Sequence, residues 1–166
     1  MSTWFCTLGE PVADDERRLV GAYLRGLGIT EELPVETVPD WDDARAVVTH
    51  PEWDRRWWDA EQLEKQRLYA GAIATRGQSE VLQLLSGTFE SSEDVQHAAS
   101  LAAARSGCAD VGLVGSAAGA ASEALHLAEL ARLAGENDTH PFRLKHALFQ
   151  AGRWPLGILS GRYRIF

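Results

Sequence analysis

Apolar residues recur at helical spacing along most of the chain. Leu19, Val20, Tyr23, Leu24 and Leu27 fall on one helical stripe behind the acidic start Asp14-Asp15-Glu16, and Gly28 is placed to stop it. Asp40 can cap a short helix reaching Val48, and Asp59 can cap a longer one reaching about Arg76, with Gln62 completing a capping box and Gly77 ending it. His50-Pro51 reads as a further helix start. A short helical piece spans Ser79 to Ser86, and Ser91-Ser92-Glu93-Asp94 opens another helix to Arg105. A long apolar helix runs from about Ala109 to Ala134, and a last one from His140-Pro141 to Gly152. The segment Ile29–Pro39 reads as a loop.

Only the two ends favour strands. Thr3–Leu8 is rich in β-formers, and Arg162–Phe166 alternates polar and apolar. The predicted fold is therefore mostly α: a compact bundle of about six helices, with a two-stranded β element joining the N- and C-termini. No linker or repeat divides the 166 residues, so residues 1–166 are expected to form a single globular helical domain.

The 109–134 segment carries Gly112, Gly115 and Gly119, each costing about 1 kcal/mol in a helix interior. A close neighbour would offset that cost, and Ala98, Ala99, Ala102 and Ala103 supply a matching small-residue face. The expectation is a tight helical hairpin with the glycines at its seam.

Composition narrows the functional classes. A hydrophobic content of 45% and a charged content of 24% fit a soluble globular domain. The N-terminus lacks the basic and apolar regions of a signal peptide, and the longest weakly polar run, Val111–Ala121, is too short for a bilayer. A cytoplasmic protein with no membrane partner is expected, in which Cys6 and Cys108 stay reduced. The net charge of −8 argues against nucleic acid as a partner. Residues 139–166 hold five of the sixteen basic residues and none of the 24 acidic ones. That tail either folds onto an acidic body or presents an anion site.

Candidate chemistry gathers at three places. The stretch HPEWDRRWWDAEQ sets Trp53, Trp57 and Trp58 among charges; the rings either plug a gap in the bundle or form an aromatic wall for a planar ligand. In the tail, Arg153 and Trp154 flank a possible site for an anionic group. On the long helix, Glu123 and His126 share a face, and His126 or His146 could carry a proton near neutral pH. Asp94 and His97 on the preceding helix could join Glu123 and His126 as a carboxylate–histidine di-metal set, although Asp94 is equally explained as a helix cap.

These signals lead to a small-molecule-binding helical protein. Trp57, Trp58, Arg153 and Trp154 would bind an aromatic or anionic organic molecule, with Glu123, His126 and His146 as candidate catalytic residues and no cofactor. A protein-interaction or immunity module, including a homodimer, is the second class. A metal-dependent oxidase is the third.

Overall fold

The structure, a computed structural model, describes residues 3–166. Its helices are α1 (Asp14–Gly26), α2 (Trp41–Val48), α3 (Arg56–Arg76), α4 (Gln78–Arg105), α5 (Val111–Leu133) and α6 (Pro141–Gln150). Three short strands, β1 (Val35–Thr37), β2 (Pro155–Leu159) and β3 (Arg162–Ile165), form a mixed sheet ordered β1-β3-β2. The mostly helical, six-helix architecture with a small β element near the termini is as expected.

The strand partners differ from expectation. Thr3–Leu8 is a series of turns, with Phe5 in the left-handed region at φ 57°. The reason is visible in its carbonyls: Thr7 and Glu10 both aim their oxygens at the Arg153 guanidinium, which an extended strand would not allow. β3 instead pairs in parallel with β1, from the segment read as a loop, and antiparallel with β2. Ser160 (φ 53°) and Gly161 (φ 69°) make the two-residue turn between β2 and β3, the positive-φ geometry that right-twisted hairpins favour.

Helix boundaries also shift where tertiary contacts intervene. His50-Pro51 is a turn, and α3 begins at Arg56, whose N–H donates to the Asp54 carboxylate. The two pieces expected around 79–105 are one 28-residue helix. The capping signal at 91–92 is spent inside it, because the Ser92 hydroxyl donates back to the Phe89 carbonyl.

α4 and α5 do form a close hairpin, but alanines make its seam. Ala117, Ala121 and Ala124 on α5 are buried with Val95, Ala99 and Ala103 of α4 in one core cluster. Gly112, Gly115 and Gly119 are exposed, and a Cβ built on Gly115 or Gly119 meets nothing within 4 Å. The glycine-seam expectation is therefore corrected. Alanine already brings the backbones together here, and the turn of the helix carries the i, i+3, i+7 glycines out of the seam into exposed positions. Gly115→Ala and Gly119→Ala should each raise stability by about 0.5–1 kcal/mol, read from urea unfolding midpoints; a loss in either would mean that the backbone there is packed.

The basic tail folds onto the acidic body. Arg153 pairs with Glu16 (2.8 Å), Lys145 with Glu61 (2.7 Å), and Arg162 and Arg164 with Glu36 (2.8 and 2.5 Å). Arg143 pairs with Asp138 at 2.5 Å. Every lysine and arginine of residues 139–166 thus has a carboxylate partner, which is the first of the two arrangements expected of the tail.

Candidate functional site

Three indoles meet at the start of α3. Asp54 ties this segment to the sheet, its N–H donating to the Ile158 carbonyl at 2.9 Å. Trp53 lies just before the helix and Trp57 and Trp58 in its first turn, and the three rings stand close together. Centroid separations are 5.8 Å for Trp53–Trp57, 6.2 Å for Trp53–Trp58 and 6.0 Å for Trp57–Trp58. With Val47 and Val48 of α2 and Leu156, Gly157 and Ile158 of β2 they line a pocket of about 190 Å³. Gly157 is required there: a Cβ on it would lie 2.5 Å from the Trp57 ring, and its φ is +120°.

The charged neighbours sit outside this pocket and stabilise it. Arg55, Lys65 and Lys145 each place a cation about 5.5 Å from the centroid of Trp53, Trp58 and Trp57 respectively. Arg56 is occupied by Asp54 and Glu31. The sequence pattern of rings among charges is thus an apolar wall with cations over its faces.

Behind Trp57 lies a buried polar cluster. The Glu61 carboxylate, on a residue 1% exposed, accepts from the Tyr23 hydroxyl and from Lys145 Nζ at 2.7 Å. Burial pushes the Tyr23 phenol well above its usual range, with the Glu61 charge adding to the effect, so Tyr23 remains a donor. The Tyr163 ring stands 6.1 Å from Tyr23, and its phenol is raised by burial as well.

A second concavity runs between α4 and α5. Its floor is Gly115, Ala118 and Gly119, its apolar wall Leu85 and Phe89, and Glu93, Glu123 and His126 are among its polar lining; its volume is about 660 Å³. α3 reaches this groove through two residues one turn apart. Lys65 Nζ donates to Glu123 at 2.6 Å, and Tyr69 Oη lies 2.5 Å from His126 Nε2. Lys65 also stands over Trp58, so it links the groove to the indole pocket.

Both nitrogens of His126 are engaged, the second lying 3.3 Å from Thr88 Oγ1. The network is satisfied when Tyr69 donates to Nε2 and Nδ1–H donates to Thr88, whose hydroxyl donates to the Leu85 carbonyl. Burial lowers the His126 pKa against the opposing pull of Glu123. His146 is lowered in the same way, with Glu129 opposing. A histidine held neutral in the fold takes up its proton more readily when unfolded. The unfolded chain therefore binds more protons just below its ordinary pKa near 6.5, and stability falls as pH drops through that value. The thermal midpoint should decline between pH 7.5 and 5.5, and His126→Asn should flatten that decline; a flat wild-type profile would contradict the burial of both rings.

The expected site is thus partly assembled. Trp57 and Trp58 share a pocket, and Glu123 and His126 share a groove. His146 lies apart on α6, its ring 5.7 Å from that of Trp4. Arg153 and Trp154 are buried and line neither concavity. Arg153 is 2% exposed and directs its donors to both Glu16 oxygens and to the carbonyls of Thr7, Glu10 and Pro11. Trp154 is 3% exposed and packs against Trp41. Nor does the metal set form: among the described residues no group of three or more His, Cys, Asp or Glu is arranged to hold a metal ion. Asp94 and His97 are exposed outside the groove, where Glu93 and Gln96 take their place.

Lys65, Tyr69 and Thr88 were not singled out from the sequence. The i, i+4 spacing of Lys65 and Tyr69 matches the i, i+3 spacing of Glu123 and His126, a signal that becomes readable only once α3 is known to cross α5.

No family model, no curated protein and no solved structure matches the chain. No helix is long and apolar enough to cross a membrane, among the described residues.

Proposed function

We propose that the chain is a small-molecule-binding helical protein whose ring-binding site is the Trp53–Trp57–Trp58 pocket. The observation that carries this reading is the mutual contact of three indoles round an apolar space of about 190 Å³. An apolar cavity of roughly 150 Å³ suffices for benzene, so this one accommodates a single aromatic ring. Large rigid rings lose little entropy on binding and favour offset or edge-on partners. The ligand class is aromatic rather than anionic, because the basic tail is consumed by carboxylates. The reading rests on binding alone; His126, in the other concavity, has its two ring nitrogens engaged by Tyr69 and Thr88.

Titration with benzaldehyde and with toluene, followed by the indole N–H resonances, tests it. Shifts should appear at Trp53, Trp57 and Trp58, and Trp58→Ala should weaken binding about tenfold or more while the fold persists, as expected for loss of an aromatic anchor. No indole response at millimolar ligand would remove the pocket from consideration.

A protein-interaction module is the second reading. It is favoured by Leu82 (54% exposed) and Phe89 (69% exposed), two turns apart on α4. Concentration-dependent sedimentation reversed by Phe89→Ser would support it over the first.

A further inference from the structure

Each indole of the tryptophan pocket has a cation standing over it. Arg55, Lys65 and Lys145 lie 5.5 Å from the ring centroids of Trp53, Trp58 and Trp57. Two of these cations are largely withdrawn from water. The Lys65 and Lys145 side chains are each 14% exposed, and they are pinned by Glu123 at 2.6 Å and by Glu61 at 2.7 Å. A desolvated ammonium acts on a ring more strongly than a solvated one. Arg55 is exposed and stands 3.8 Å from an equally exposed Asp59, so water and salt screen it.

In each ion pair it is the cation that stands over a ring, and no carboxylate side chain lines the pocket. A cation over an aromatic ring draws π density toward itself. The opposite face and the C–H and N–H edge of that ring become more positive. Trp57 adds a donor without compensation: its Nε1 is buried and has no hydrogen-bond acceptor among the described residues. The walls therefore carry positive potential although every lining residue is apolar or aromatic. A ligand ring meets such walls either offset face to face or face to edge. Both arrangements gain when substituents release electrons into the ligand ring and lose when they withdraw them. A full negative charge gains nothing comparable, because it would be buried in an apolar space whose nearby lysines already hold carboxylates.

We propose that the indole pocket selects a neutral, electron-rich ring of the phenol or phenol-ether class, and that Lys65 and Lys145 set this preference through Trp58 and Trp57. The inference rests on the ring-binding reading above and adds the class of ring. Neither lysine lines the pocket, so both act on the ligand through the indoles.

The test uses the full chain and two ligands of matched size, anisole and benzonitrile, each followed by the indole N–H resonances. Anisole should bind about fivefold more tightly, within the range that ring electrostatics give an aromatic pair. Lys65→Met removes one ammonium and leaves Glu123, which is half exposed and can be solvated. Glu61→Leu combined with Lys145→Met removes the other pair as a unit. Each change should reduce the preference to about twofold, and Lys65→Arg, which keeps a cation, should retain it. The ratio between the two ligands, compared across variants, cancels their different partition from water. A lysine with a purely structural role would weaken both ligands alike and leave the ratio unmoved. Equal binding of the two ligands, tighter binding of benzonitrile, or an unchanged ratio in both charge-removed variants would overturn the proposal, while indole shifts in those same titrations would leave the pocket itself standing. Silence of the indoles with both ligands would remove the pocket and this proposal together.

Discussion

Arg153→Met is expected to lower the free energy of unfolding by about 3–5 kcal/mol, the cost of removing one partner of a buried ion pair. Arg153 holds three parts of the chain at once. Its guanidinium grips both oxygens of Glu16, and Glu16 in turn accepts from the Ala13 N–H at the start of α1. The same group binds the carbonyls of Thr7, Glu10 and Pro11, which fixes the turns of the N-terminal segment. Methionine keeps the bulk and removes every donor, so one carboxylate and three carbonyls lose their partner together. For a chain of this length the melting temperature should drop on the order of 10 °C. Pairing and hydrogen bonding with Arg153, together with the Ala13 N–H, hold the Glu16 carboxyl below its ordinary value against the upward push of burial. Stability drawn from that pair is present above the ordinary carboxylate range and disappears as pH falls below it, so the difference between wild type and Arg153→Met should shrink in acid. Calorimetry across pH checks both statements. A loss under about 1 kcal/mol at neutral pH would show that the N-terminal segment is held by something else.

Glu61→Leu should be of similar size, about 3–5 kcal/mol, because it strands Lys145 beside two aromatic rings and leaves the Tyr23 hydroxyl without its acceptor. Glu61→Gln keeps an acceptor for Tyr23 and should cost less. Adding Lys145→Met to Glu61→Leu should recover much of the loss, since a buried pair replaced by apolar groups is often near neutral. The readout is a double-mutant cycle by urea unfolding. The same variants bear on ligand binding. Lys145 sits over Trp57, so the single Glu61→Leu change should also shift the Trp57 indole resonance, and an unmoved Trp57 would separate the buried cluster from the pocket.

Much of the helical framework is legible from local signals. Asp40 caps α2 through the Asp43 N–H, and Gly28 and Gly77 end α1 and α3 at φ +83° and +90°, because caps and positive-φ positions need only neighbours in sequence. The hairpin of α4 and α5 is legible for the same reason: two small-residue helices joined by a short turn must be neighbours. Its seam is less so. Alanine and glycine both read as small, and only the rotation of α5 puts Ala117 and Ala121 inward and Gly115 and Gly119 outward. β1 was missed because three residues between prolines carry almost no periodic signal, and their parallel partner lies more than 120 residues away.

The candidate site divides in the same way. The tryptophan cluster could be seen because its rings are adjacent in the chain. The role of Arg153 could not, since its five acceptors lie in residues 7–16 and nothing local distinguishes a buried hub from an anion-binding arginine. Likewise the pairing of Lys65 and Tyr69 with Glu123 and His126 depends on where α3 crosses α5.

By itself the sequence determined the helical class, most helix ends and the gathering of indoles at residues 53–58, all of which follow from period, capping and proximity along the chain. Tertiary structure alone decided which charges became buried anchors, which way the glycines face and how two histidines were assigned to separate surroundings. Those outcomes depend on helix rotation and on contacts between distant segments, and neither quantity is encoded in any short window of residues.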